Sequence, residues 1–167
     1  MRRTIEYIIF FVVAVLLQSL MFDNLHLSSL VMPLYYVVFV VLLPVEIGRM
    51  WLLLLGTLLG MVMDIMMGTP GLNTIATTAV AFIRPVAINL IMGKEVAHEV
   101  IPYGRAIPLR SFVFYAGVMA LVHHGLFYGF ESLGSHLWHT FLRVVLSSVV
   151  TVVLVGLTAR LFRRIVG

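Results

Sequence analysis

The chain contains no cysteine, so disulfides, zinc–thiolate centres and thiol nucleophiles are excluded. Charge is nearly as scarce. Asp, Glu, Lys and Arg make up 11% of its 167 residues, against roughly a quarter in soluble domains. Familiar catalytic signatures are missing too: no GxSxG elbow, no P-loop and no HExxH. Ser147 and Ser148 stand near a lone Arg143 and form no nucleophile–base set. Neither an enzymatic activity nor a cofactor is expected. What fills the chain instead is apolar: 62% of residues are hydrophobic, and mean hydropathy is +1.11. Too few charges remain to coat a surface against water, so the chain reads as an integral membrane protein solvated by lipid.

A helical span needs about 20 mostly apolar residues to cross about 30 Å of hydrocarbon. Six candidates occur, approximately 5–22, 30–45, 50–68, 73–93, 110–130 and 137–161. All are expected as helices, because isolated strands would leave backbone groups unsatisfied in lipid. The fold class is therefore all-α, a single polytopic membrane domain over 1–167. The first apolar run is longer than a signal-peptide core and no small-x-small site follows it, so it reads as a retained span. The second is the shortest and carries Pro33 and Pro44 near its ends; the fourth is interrupted by Arg84-Pro85 and is expected to kink or stop early there.

Orientation follows from the cations. Arg2, Arg3, Arg49, Lys94, Arg105, Arg110, Arg160, Arg163 and Arg164, nine of the eleven Lys and Arg, fall on one side of a six-span chain. The positive-inside rule then puts both termini in the cytoplasm. The net charge of +4 is a matter of topology and anionic lipid, not of nucleic acid, which is not an expected partner.

Polar residues within the spans are few enough to take singly. Gly56, Gly60, Asp64 and Gly68 recur every four residues and drift by only about 40° per step around a helix. Gly56 and Gly60 form a GxxxG pair suited to close helix packing, with Thr77 and Ala81 as small residues on the next span. Asp64 therefore faces protein rather than lipid. Three roles are open to it: a hydrogen-bonding cap for the next helix or its loop, a proton- or ligand-handling carboxylate, and a partner contact. Pro70 and Gly71 suit a tight turn, after which Asn73 or Thr74 could cap the fourth helix, making spans three and four an antiparallel hairpin.

An Asp64–Arg84 pair is conceivable, yet the two lie about 6 and 15 Å from the corner at helical rise. Arg84 could equally snorkel to the cytoplasmic surface. In the last two spans, His123 and His124 precede Tyr128 and Glu131, while His136, His139 and Arg143 recur at i, i+3 and i+7. They read as interfacial hydrogen-bonding groups or as the lining of a shallow outward cavity. A metal site from His136, His139 and one of the paired histidines is a further option, although no clustered carboxylates accompany them.

Gly60, Asp64, Gly68, Pro70, Gly71 and Leu72 compose a membrane-embedded Gly-x-x-x-Asp-x-x-x-Gly, a Pro/Gly corner and a Gly-Leu opening the next span. This motif resembles the rod shape-determining MreD family, as do the length, the hydrophobicity and the basic loop after the fourth span. The resemblance implies a non-enzymatic component of the bacterial elongation machinery in the inner membrane. It also implies six helices arranged like the substrate-binding subunits of energy-coupling-factor vitamin transporters. The implied partner is MreC, a single-span periplasmic protein, and through it MreB, RodA and a class B penicillin-binding protein. On this view Asp64, Gly68, Pro70, Gly71, Arg84, His124, His139 and Arg143 are partner-binding or structural polar residues. The fold analogy leaves a second reading, a vitamin-type binding subunit of a transporter.

Overall fold

The computed structural model describes residues 2–22, 30–93, 101–103, 107–133 and 136–166. Among these the chain is all-helical. Helix α1 spans Arg2–Leu17 and runs into a π-helical turn at Gln18–Phe22. A 3-10 turn at Tyr35–Val37 leads into the five-residue α2, Val38–Leu42. Four long helices follow: α3 Arg49–Met67, α4 Leu72–Met92, α5 Leu109–Ser132 and α6 Leu137–Val166. The last four pack in sequence, α3 on α4, α4 on α5 and α5 on α6.

Among the described residues, five helices are long and apolar enough to cross a membrane: Thr4–Phe22, Arg49–Met67, Leu72–Met92, Leu109–Ser132 and Leu137–Phe162. Their polarity is inside-out. Ile65, Leu90, Phe114 and Leu161 point outward on four of them, while Gln18, Asn73, Thr77, Arg84, His123 and His124 are buried. That is the pattern expected when the outer solvent is lipid and polar groups seek each other within the bundle.

Residues 30–45, expected as a helical span, do not form one. The chain is irregular to Leu34, turns through the 3-10 segment and α2, and leaves the helix at Leu43 with ψ 155°. The two prolines account for this. Pro33 has no N–H for a helical bond, and Pro44 drives the residue before it out of the helical region. From Pro33 to Leu43 every residue is buried. The segment threads the bundle core: Met32 lies beside Ser147 and Tyr128, Val41 beside Tyr115, and Leu43 beside Arg84. Tyr128 and Tyr115 are thirteen residues apart on α5, so the segment runs along that helix for about 20 Å. Irregular backbone at such depth is tolerated only when enclosed by protein.

The fourth span also differs from expectation. Helix α4 continues through Pro85 to Met92 rather than stopping at Arg84. One missing N–H removes a single intrahelical bond, too little to end a helix with lipid on one side and packed helices on the other.

Candidate functional site

The corner between α3 and α4 is organised by Asp64. Its Oδ1 accepts from the Asn73 backbone N–H at 2.9 Å and the Thr69 hydroxyl at 2.6 Å. Its Oδ2 accepts from the Thr74 backbone N–H at 3.0 Å and the Thr74 hydroxyl at 2.6 Å. Asn73 and Thr74 are the second and third residues of α4, so one carboxylate fills two of that helix's orphan donors from across the hairpin. Neither Asn73 nor Thr74 is the cap: the position before α4 is Gly71, at φ 83°, without a side chain to cap with. Gly68, at φ 66°, ends α3 and donates to the Asp64 carbonyl, which Thr69 N–H also reaches at 3.0 Å. Both glycines hold left-handed backbone that Pro70, between them, could not adopt.

Helices α3 and α4 touch where Gly56 and Gly60 lie. A Cβ on Gly60 would sit 2.5 Å from the Thr74 Cα, and one on Gly56 2.7 Å from the Ala81 Cβ. Thr77 and Ala81 are fully buried against this face. The Asp64 cap reaches α4 because the two backbones are this close.

A directed hydrogen-bond chain leads inward from the cap. Thr69 donates to Asp64, and the Asn73 amide donates to Thr69 Oγ1 at 2.7 Å. The Tyr36 hydroxyl donates to Asn73 Oδ1 at 2.5 Å, which leaves its oxygen to accept from His123 Nε2 at 2.9 Å. Four side chains from four parts of the fold are thus ordered head to tail toward one carboxylate. The chain ends at His123 Nδ1, which is buried and has no partner among the described residues.

Several other interior polar groups serve the irregular segment. Gln18 accepts from Tyr35 N–H at 2.6 Å and donates to the Pro33 carbonyl at 3.3 Å. His124 donates from Nδ1 to the Ala120 carbonyl at 2.8 Å, so its Nε2 is free to accept from Leu34 N–H and the Thr151 hydroxyl. Ser147 accepts from Met32 N–H at 3.1 Å, and Tyr128 donates to the Met32 carbonyl at 2.6 Å. Arg84, 1% exposed, donates to the Leu43 and Pro44 carbonyls and, through Nε, to Tyr115 at 3.0 Å. Tyr115 in turn donates a hydrogen bond to the Val41 carbonyl at 3.1 Å. Arg84 neither pairs with Asp64 nor snorkels; both are consumed by backbone at different depths.

His123 and His124 are core residues, not interfacial ones. His139 is exposed and Arg143 partly so. With Tyr128, Glu131 and His136 they line a groove of about 200 Å³ at the α5–α6 junction. Arg143 bonds Glu131 at 2.6 Å and lies 4.3 Å from the Tyr128 ring centre. The described residues hold no group of three or more His, Cys, Asp or Glu placed to share a metal ion. Gln18, Tyr36, Tyr115 and Thr151 escaped the sequence reading. Gln18 alone left a trace, as the one amide within the first apolar run.

The class defined by this fold is an all-helical protein with five helices long and apolar enough to cross a membrane. No family model, curated protein or solved structure matches the chain.

Proposed function

We propose that this chain is a non-enzymatic scaffold of the bacterial cell-wall elongation complex, of the MreD type, seated in the inner membrane with both termini in the cytoplasm. In this reading the threaded segment 32–44 counts as a sixth crossing, and the helices are arranged as in energy-coupling-factor substrate-binding subunits. The scaffold presents its outer helix faces to the single span of MreC, and through MreC to MreB, RodA and a class B penicillin-binding protein.

The observation that carries the reading is where the interior polar groups are spent. Asp64, Arg84, Gln18, His124, Tyr115 and Tyr128 are used on caps and on the backbone of one internal segment. Such a body is stiffened from within, as a scaffold requires, and its corner carries the residues of the MreD-like motif. The groove at Tyr128, Glu131, His139 and Arg143 favours the second reading, a vitamin-type binding subunit.

The test is affinity purification of the tagged chain from mild detergent, with depletion in the source cell. A co-purifying single-span MreC and rounded cells on depletion are expected. Normal cell shape together with a small molecule retained through purification would reverse the order of the two readings.

A further inference from the structure

We propose that the groove between α5 and α6 seats one acyl chain of an anionic phospholipid, with the phosphate resting on Arg160. The groove encloses about 420 Å³ and is walled by Phe112, Val152, Gly156 and Ala159, with Tyr103 and Arg160 among its lining. Gly156 lies open to it: a Cβ there would meet nothing within 4 Å, so a large side chain at 156 has room to enter the groove. Apolar walls suit a hydrocarbon chain. The Arg160 guanidinium, a permanent cation, suits a phosphate.

Arg160 is exposed and forms no ion pair among the described residues. A basic residue at the end of an intramembrane groove is the arrangement that holds anionic head groups.

Native mass spectrometry of the full chain, released from detergent with equimolar phosphatidylglycerol and phosphatidylcholine, tests this. The wild-type chain should retain one phosphatidylglycerol, preferred over phosphatidylcholine by about fivefold, the effect of one basic residue near a lipid surface. Gly156→Phe should lose retention of both lipids, with circular dichroism controlling for the fold. Arg160→Gln, a change at an exposed site, should keep a lipid but lose the preference. Inorganic phosphate at millimolar concentration should not displace the lipid.

The proposal is overturned if Gly156→Phe, still helical, retains phosphatidylglycerol as the wild type does. Undiminished preference in Arg160→Gln overturns it also, as does displacement by inorganic phosphate alone. A dimer mass present in the wild type and lost in Gly156→Phe would assign the groove to a second copy instead.

Discussion

Asp64 accepts four hydrogen bonds with two oxygens, and each oxygen has one backbone and one hydroxyl donor. Hydroxyls can rotate to new partners; backbone N–H groups at a helix start cannot. Asp64→Leu strands both, at about 1–3 kcal/mol each. Asp64→Asn keeps one oxygen and turns an amide N–H toward the other backbone donor, so one of the two is lost. Thermal unfolding in detergent should therefore rank wild type, Asn and Leu in that order, with Asn near the midpoint. Equal losses would mean that the charge, not the acceptor geometry, is what the site requires. Arg84 obeys similar logic with the signs exchanged. Its guanidinium divides donors among Leu43, Pro44 and Tyr115, in directions a single ammonium cannot span. Arg84→Lys should keep the charge yet lose most of the stability that Arg84→Leu loses. Equivalence of Lys to wild type in the same melt would show that charge alone suffices.

At the scale of helices, contact distance decides. Gly60 admits no Cβ without moving the α4 backbone, whereas Gly156 has open space around it. Gly60→Ala should cost about 1–3 kcal/mol through overpacking. Gly156→Ala should be neutral or stabilising by up to about 1 kcal/mol, as alanine is in a helix interior. Matched melting curves check both, and an equal response would remove the α3–α4 contact as the basis of the GxxxG pair. Five of the six expected spans were legible because an apolar run of helical length admits few other structures in lipid. Residues 30–45 were not, although Pro33 and Pro44 were visible. Composition marks a run as buried, but cannot tell burial in lipid from burial in protein. The same limit hid the site. Asp64 was legible as a cap because its partners lie within ten residues of it. His124 and Ser147 bond backbone 90 and 115 residues away, in a segment whose exposed donors exist only because it is not a helix.

Over the whole molecule, the proposed topology turns on whether the threaded segment counts as a crossing. Five long helices alone would put the two termini on opposite faces; a passage along α5 between Met32 and Pro44 adds the crossing that returns them to one. The geometry supports the passage. Met32 is held near the α5–α6 junction by Ser147 and Tyr128, and Pro44 is held by Arg84, more than halfway along α4 from the Asp64 corner. The Asp64 corner and the α5–α6 junction then share a face, and the starts of α3 and α5 share the other. The cations agree, since Arg49 and Arg110 stand at those two starts. A chain without cysteine allows a direct check by placing single cysteines at Met50, 74% exposed at the start of α3, and at Leu133, 88% exposed at the end of α5. In intact cells an impermeant maleimide should modify Leu133→Cys and spare Met50→Cys until the membrane is opened. Labelling of Met50→Cys alone from outside would invert the molecule and place the Asp64 corner in the cytoplasm. Labelling of both would mean that α3, α4 and α5, the three helices between the two probes, do not all cross the membrane.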